Sequence, residues 1–172
     1  MREAFSRTIT LQQPREHRYH TSVQWTGNRG TGTDEYGNYG REHVIRIDGK
    51  PNINGSSDPS LRGDATKHNP EEMLVAALSA CHMMTYLRMA TEAGVVVTAY
   101  TDTAVGTVVE NTNGHFGGHF REVTLYPTVT IAAASDPEKA VAAHEAARRA
   151  CFITNSVNFQ VRCEPHVTQE SS

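Results

Sequence analysis

Three cysteines are the residues of this 172-residue sequence best suited to covalent chemistry. An odd number of cysteines at low density argues against a disulfide-stabilised scaffold, so each thiol is interpreted from its own surroundings. Cys81 lies in a stretch that also carries four of the five methionines, Met73, Met83, Met84 and Met89. Two interpretations stay open, because a buried cysteine is often a small core residue, whereas a thiol in an adaptable apolar pocket can be reactive.

The other two cysteines have surroundings that favour different roles. Cys151 follows an alanine-rich segment with a helical pattern, so it is predicted to lie at a helix C-terminus, where the macrodipole disfavours a thiolate. It is therefore a poor nucleophile alone and a better partner for a second thiol. Cys163 belongs to an alternating segment and shares a side with Val157, Phe159 and Val161, which predicts core packing.

The nine histidines do not have the spacing of a recognisable metal site. His115 and His119 lie in or beside a predicted turn, and His82 follows Cys81. No Cys-x-x-Cys or His-Glu-x-x-His motif is present. Gly30 and Gly32 fall short of a dinucleotide or phosphate fingerprint. The sequence therefore predicts no metal and no bound cofactor.

Composition and charge exclude several classes of function. The formal net charge is −3 and the basic residues are scattered, so no nucleic-acid partner is expected. Residues 1–11 carry charges throughout, unlike a signal peptide, and the longest uncharged run, 73–87, is shorter than the roughly 20 residues of a membrane span. We therefore expect a cytoplasmic protein that does not contact a membrane.

Two helices are predicted to position the first two thiols. Segment 69–72, Asn-Pro-Glu-Glu, combines an N-cap, a proline at the first helical position and acids at the positive end of the helix dipole. This helix should run to about residue 92, because Gly94 follows. Residues 73–87 are uncharged on every face, so the helix should be buried nearly all round, with a partner subunit covering part of it. Asp136 opens a second helix that ends near Cys151.

The remaining predicted elements are strands and loops. Alternation of polar and apolar residues predicts strands at 17–27, 43–47 and 157–163, and a β-hairpin of 95–109 and 123–132 with its turn at 111–118. Glycine, proline and asparagine predict loops at 28–33 and 50–68. No internal repeat is visible, so a single domain over residues 1–172 is expected.

Two segments resemble the motifs of a known family. Residues 69–82, Asn-Pro-Glu-Glu-Met-Leu-Val-Ala-Ala-Leu-Ser-Ala-Cys-His, resemble the signature helix of the OsmC/Ohr family, which comprises osmotically inducible protein C and the organic hydroperoxide resistance proteins. Residues 147–157, Ala-Arg-Arg-Ala-Cys-Phe-Ile-Thr-Asn-Ser-Val, resemble its second motif. The order of predicted elements agrees, so the resemblance covers a core at about 18–168 and leaves an N-terminal tail at 1–16.

The resemblance implies an α+β fold with antiparallel sheets packed around two central helices, in an intertwined homodimer with two active sites at the subunit interface. It also implies a cysteine-based peroxidase without metal or flavin, which reduces organic hydroperoxides in oxidative stress defence and is recycled by an external dithiol. By motif position, Cys81 would be the peroxidatic cysteine, Cys151 the resolving cysteine, and Glu71 the carboxylate that orients a catalytic arginine. That arginine is Arg29 or Arg62, and position in the resemblance favours Arg62.

The sequence departs from the family pattern at two positions. Phe152 follows the second cysteine, where many relatives have proline, and His82 follows the first, where many have an aromatic residue. A divergent subgroup is compatible with a non-catalytic protein that binds a small molecule in an apolar interface pocket, or with a structural dimer with inert thiols. His82 itself either tunes the adjacent thiol or points into the core.

Helix geometry adds a prediction that does not depend on the family. Glu71 and Cys81 are ten residues apart, which is about 15 Å along the axis of a straight helix. A site that contains both residues then needs two chains, or a bend in the helix. We therefore expect Glu71 of one subunit to approach Cys81 of the other.

Overall fold

The computed structural model describes residues 15–112 and 116–171, which form two helices and three small sheets. Helix α1 is Pro70–Glu92 and helix α2 is Pro137–Ala150. The strands are β1 Ser22–Trp25, β2 His43–Arg46, β3 Ile53–Gly55, β4 Val97–Asp102, β5 Val105–Glu110, β6 Gly118–Leu125, β7 Pro127–Ile131, β8 Gln160–Cys163 and β9 His166–Gln169. Short 3-10 turns are present at Pro59–Leu61 and Thr154–Ser156.

The three sheets have three strands each, in the orders β1-β2-β3, β4-β7-β9 and β5-β6-β8. Neighbouring strands are antiparallel except in the pairs β6–β8 and β7–β9, which are parallel. The chain passes through α2 between the members of each parallel pair, as a crossover connection requires. The predicted α+β class is confirmed. The implied antiparallel pairing holds throughout sheet β1-β2-β3, but each of the other two sheets also contains one parallel pair.

The two segments predicted to form a β-hairpin contain four strands. Segment 95–109 divides into β4 and β5, and segment 123–132 lies in β6 and β7, so β5 pairs with β6 in one sheet while β4 pairs with β7 in another. The Asp102 carboxylate stabilises this change of sheet, because it accepts hydrogen bonds from the Tyr126 backbone N–H at 2.7 Å and the Ser79 hydroxyl at 2.6 Å. Residues 113–115 of the predicted turn lie outside the described residues, as do 1–14 of the predicted tail.

Other strand predictions differ from the structure in length or number. β3 lies inside the predicted loop 50–68 and pairs with β2, and β9 follows the last predicted strand. Asn54 and Gly55 of β3 are residue types typical of turns, so the sequence carries no strand signal there. β1 and β8 are shorter than predicted because both lie at sheet edges, where pairing on one side alone limits their extent.

Helix α1 begins and ends where the sequence predicts. The Asn69 side chain accepts a hydrogen bond from the Glu72 backbone N–H at 2.7 Å, and the Glu72 carboxylate accepts one from the Asn69 N–H at 3.3 Å. This capping box satisfies backbone donors that a helix start leaves free. Gly94 follows the helix with a φ of +74°, a left-handed conformation that favours glycine.

One line of α1 side chains is fully buried in the single chain: Leu78, His82, Tyr86 and Ala90. These residues are four positions apart, so they share the face that packs against α2 and the two central sheets. In the single chain the opposite face of α1 is open and Met84 is 62% exposed, so burial nearly all round stays a prediction that involves a partner subunit. α1 therefore has more apolar surface than one chain covers.

α1 also passes a test of length and composition for a membrane span. Its most apolar window has a mean hydropathy of 1.2, and 22% of that window is buried within the chain. Core helices of soluble proteins pass the same test, so this feature is weak evidence for a membrane. The absence of membrane contact stays a prediction.

Candidate functional site

The two cysteines of the sequence motifs lie side by side. Cys81 is in the middle of α1, and Cys151 is the C-cap of α2, where its backbone N–H donates to the Ala147 carbonyl at 2.8 Å. Because the two helices pack together, the Cys151 thiol donates a hydrogen bond to Cys81 Sγ at 2.9 Å. Both thiols are free; Cys151 is fully buried, whereas Cys81 is partly exposed and accessible to a reagent.

The surroundings of Cys81 favour its thiolate. Burial alone would raise the pKa of Cys81, but hydrogen bonds outweigh this effect and lower that pKa below its ordinary value. The groups that lower it are the Cys151 thiol, which donates to the sulfur at 2.9 Å, and the backbone N–H groups of Ile153 and Phe152; the nearby Thr85 hydroxyl donates to the Cys81 backbone carbonyl at 2.8 Å. The segment that follows the second cysteine thus directs the positive ends of its peptide dipoles at the sulfur of the first.

Cys151 has the opposite electrostatic environment. Burial, together with the hydrogen bond that its thiol makes to Cys81, raises the pKa of Cys151 above its ordinary value. The Thr154 backbone N–H donates to Cys151 Sγ at 3.5 Å, which opposes that rise without cancelling it. The pair is therefore asymmetric, with Cys81 the more acidic and more accessible thiol.

The other predicted site residues lie apart from the thiol pair in the single chain. Glu71 is exposed in the first turn of α1, and because α1 is continuous it lies about 15 Å along the axis from Cys81. Arg62 is exposed at the end of a 3-10 turn, with a φ of +64° and its guanidinium carbon 5.6 Å from the centre of the Tyr36 ring. Arg29 is exposed in the glycine-rich loop.

The thiol pair has no cationic partner within one chain. Among the described residues, no arginine contributes to the pKa shift of Cys81. Within residues 15–112 and 116–171, neither Arg29 nor Arg62 forms an ion pair with Glu71. The roles predicted for these three residues therefore stay predictions that involve a second subunit.

An open cleft borders α1 on the side that carries Glu71. Its walls include Val75 and Met83 of α1 and Phe120 of β6, and Ser79 lies at the polar side with Asp102. Apolar surface predominates in the lining and suits the alkyl part of a small organic molecule, but four carboxylates also line the cleft and Cys81 does not.

A second group of chemically capable side chains lies between the helices and β8. His82 of α1 and His144 of α2 are both buried, with Nε2 of His82 3.1 Å from Nδ1 of His144. Cys163 Sγ lies 3.4 Å from that His82 nitrogen and 3.8 Å from that His144 nitrogen. In the described part of the chain, this is the group whose ligand atoms are close enough to share a metal ion.

The sequence indicates only part of this group. His82 points into the core, and Cys163 is half-buried, packing as predicted against the apolar cluster of Leu78, Val123 and Leu125 while its sulfur also faces the two histidines. His144 is not singled out by sequence, since it is 62 residues from His82 and 19 from Cys163, and spacing motifs detect only local pairs. The sequence signal that could identify His144 is its position among the alanines that form the buried face of α2. His115 lies outside the described residues, and His119 is exposed.

A mixed α+β fold in which two neighbouring helices bring a pair of unlike thiols into contact defines a class of small dithiol proteins. Comparison with protein families identifies which one, because residues 63–166 match the family model described as OsmC-like protein. The chain belongs to the OsmC-like family, as its two cysteine motifs predict. No curated protein matches the chain.

Solved structures agree with this membership. An OsmC-like protein of unknown function from Vibrio cholerae is 30% identical, with a TM-score of 0.77 over 87% of this chain and 99% of that one. An organic hydroperoxide resistance protein from Elizabethkingia anophelis is 21% identical, with a TM-score of 0.61 over 91% of this chain and 100% of that one. A Legionella pneumophila organic hydroperoxide resistance protein is 18% identical, with a TM-score of 0.62 over 89% and 99%. The latter two likenesses show the fold alone.

Proposed function

We propose that this chain is a cysteine-based peroxidase that reduces organic hydroperoxides, with Cys81 as the peroxidatic and Cys151 as the resolving cysteine. The observation that carries the proposal is the 2.9 Å separation of the two free sulfur atoms. A disulfide needs these atoms to approach to about 2.05 Å, so a small side-chain movement suffices. The opposite pKa shifts of the two thiols assign a direction to the chemistry.

The first step is attack by the Cys81 thiolate on one oxygen of the hydroperoxide. The O–O bond breaks, the new S–O bond leaves Cys81 as a sulfenic acid, and the other oxygen departs with a proton as the alcohol. Only the thiolate is an efficient nucleophile, so the lowered pKa of Cys81 increases the reactive fraction at neutral pH. The hydrogen-bond donors around its sulfur hold the thiolate in place before the peroxide arrives.

The second step is attack by Cys151 on the sulfenic sulfur of Cys81. Water leaves, and the two sulfurs form a disulfide between α1 and the end of α2. Burial of Cys151 shields its protonated thiol from the peroxide and reserves it for this step. An external dithiol then reduces the disulfide by exchange, which returns both thiols and completes the cycle.

The cation that the first step requires comes, in this proposal, from a homodimer. A guanidinium donates two parallel hydrogen bonds and stabilises charge on sulfur and on the leaving oxygen, and a carboxylate fixes its orientation. We assign this arginine as Arg62 and the carboxylate as Glu71, both contributed by the other subunit. The separation of Glu71 from Cys81 along a continuous α1 supports the assignment, since one straight helix cannot bring both ends together.

Two features of the single chain support the homodimer. The face of α1 opposite the core is apolar and open, with Met84 62% exposed and Leu87 37% exposed. The strands of sheet β1-β2-β3 pair only with one another, all four residues of β1 are exposed, and a bridge between Gly55 and His68 joins the sheet to the loop before α1. Intertwining of two chains would cover both surfaces.

The substrate class follows from the cleft beside α1 and from the relatives. An apolar lining favours an alkyl or lipid-like hydroperoxide over hydrogen peroxide, which has no apolar part to bury. The Elizabethkingia anophelis and Legionella pneumophila proteins carry the description organic hydroperoxide resistance protein. We extend that activity to this chain and place it in the cytoplasm.

Steady-state consumption of peroxide tests the proposal. With dithiothreitol as reductant, the wild-type chain should consume cumene hydroperoxide at a rate at least tenfold above that of Cys81→Ser, and should prefer it to hydrogen peroxide. Equal rates for the wild type and Cys81→Ser, both at the level of dithiothreitol alone, would contradict the peroxidase. The chain would then be a binding protein, and its cleft should be searched for a ligand.

A further inference from the structure

The buried group formed by His82, His144 and Cys163 has no part in the peroxidase chemistry. Its members come from three separate elements, α1, α2 and β8, which converge at this point behind the thiol pair. We propose that these three side chains form a zinc site, with Nε2 of His82, Nδ1 of His144 and Sγ of Cys163 as the protein ligands.

The distances between the three atoms match the edges of a zinc coordination shell. Zinc bonds of about 2.05 Å to nitrogen and 2.3 Å to sulfur place tetrahedral ligands about 3.3 Å apart for N···N and about 3.5 Å apart for N···S. The observed edges are 3.1 Å between His82 and His144, and 3.4 and 3.8 Å from Cys163 to the two nitrogens. Seating the ion would also require the two imidazoles to turn, because their nitrogens now face each other across a direct hydrogen bond, with the ring centres 5.4 Å apart.

The surroundings of the two imidazoles are otherwise those of an apolar core. The inner face of α2 consists of Ala140, Ala143 and Ala147 in addition to His144, and the His144 ring stacks on Tyr86 with the ring centres 3.8 Å apart. Burying two polar rings in such a place costs free energy unless their nitrogen atoms are used. A bound cation engages both imidazoles and the thiol at once.

Negative charges lie close enough to the site to favour a cation. Those of Asp102 and Glu145 act on the Cys163 thiol and, together with burial, raise its pKa to about 12. Zinc must therefore displace a proton from this thiol, one for each ion bound, and that displacement opposes binding.

The donor set selects the class of metal. Two imidazoles and a thiolate are borderline to soft ligands, which suit zinc and not calcium or magnesium, because those ions prefer oxygen. Three protein ligands leave one of four positions for water. Cys163 also lines an open surface cleft with Glu145 and Glu164, and it is the most exposed of the three ligands.

Cobalt binding to a Cys81→Ser/Cys151→Ser double variant tests the site. Cys163 is then the only cysteine left of three, so a thiolate-to-cobalt charge-transfer band can arise from that residue alone. The variant is prepared without a polyhistidine tag and stripped with a chelator before titration. We expect one Co²⁺ per chain, a charge-transfer band with tetrahedral visible bands, and displacement by one equivalent of Zn²⁺.

Two further substitutions in that background identify the ligands. Adding Cys163→Ser should remove the charge-transfer band, and adding His144→Gln should weaken cobalt binding at least tenfold. His119→Gln, which changes an exposed histidine outside the group, should leave both the band and the affinity unchanged. No charge-transfer band in the double variant, or a band in the wild type that disappears with Cys81 and Cys151, would overturn the proposal. Neither result would bear on the peroxidase, which uses other residues.

Discussion

Although burial acts in the opposite direction, hydrogen bonds lower the pKa of Cys81 within a single chain. The backbone N–H of Phe152 is one of these donors, and Phe152 stands where many relatives have proline, which has no N–H. The departure from the family pattern is therefore favourable to the thiolate. This effect belongs to the backbone, because the Phe152 side chain is 79% exposed.

Phe152→Pro should slow alkylation of Cys81 by iodoacetamide several-fold at pH 7, because one donor to the thiolate is lost. Cys151 already has the extended backbone, φ −70° and ψ 118°, that a following proline requires, so local strain is small. Phe152→Ala keeps the N–H and should react at close to the wild-type rate. Mass spectrometry of the Cys81 peptide over time measures both rates, and equal slowing in the two variants would show that the side chain matters instead.

Arg62→Gly should lower kcat/KM for cumene hydroperoxide by about 100-fold, the usual cost of losing one charged donor to a developing anion. Glycine is the appropriate replacement because Arg62 has a φ of +64°, which glycine adopts without strain. Arg29→Gly, made in a loop already rich in glycine, should change kcat/KM by less than twofold. A large loss in Arg29→Gly with little change in Arg62→Gly would assign the catalytic arginine to Arg29.

Sequence predicts the two helices better than the strands, and the reason is the range of the interactions that determine each. The ends of α1 depend on Asn69, Glu72 and Gly94, all within a few residues of the ends they determine. The division of one predicted strand into β4 and β5 depends instead on Asp102, whose partners Ser79 and Tyr126 are 23 and 24 residues away. No local pattern contains that information.

The residues of the candidate site also differ in whether the sequence can predict them. Cys81 and Cys151 are found from sequence because each lies within a recognisable motif. Their 2.9 Å contact cannot be found from sequence, because it depends on how α1 and α2 pack against each other. His144 is missed for the same reason, because its neighbours His82 and Cys163 come from other elements.

Asn69→Ala should reduce the free energy of unfolding by about 1 kcal/mol, because the Glu72 N–H and the Asn69 side chain lose their capping hydrogen bond. For a chain of this size that corresponds to a fall in Tm of about 2–4 °C. Asn69→Asp keeps the acceptor and should retain most of the stability. Thermal unfolding followed by circular dichroism distinguishes them, and an unchanged Tm in Asn69→Ala would show that the cap contributes nothing measurable.

A single chain leaves part of its apolar surface uncovered. The open face of α1 and the outlying sheet β1-β2-β3 are on the surface of a single chain, and the proposed arginine and carboxylate are separated from the thiols. The proposed homodimer would account for all three features together. It would also make activity depend on residues from two chains.

Mixing two defective chains tests this dependence on two subunits. A heterodimer of Cys81→Ser and Glu71→Gln chains, isolated with two different affinity tags, contains one site with both Cys81 and Glu71 intact if the residues act across the interface. It should recover about half of the wild-type activity, because the second site lacks both groups. Activity no higher than that of the Glu71→Gln homodimer would mean that Glu71 acts within its own chain or not at all.

In the proposed mechanism an organic hydroperoxide oxidises Cys81 and Cys151 together. A count of free thiols in denaturant, before and after one equivalent of cumene hydroperoxide on the reduced protein, measures this most directly. The wild type should fall from three thiols to one, Cys81→Ser should keep both of its thiols, and Cys151→Ser should accumulate a sulfenic acid on Cys81 that dimedone traps. Survival of all three thiols in the wild type would contradict the two-cysteine mechanism.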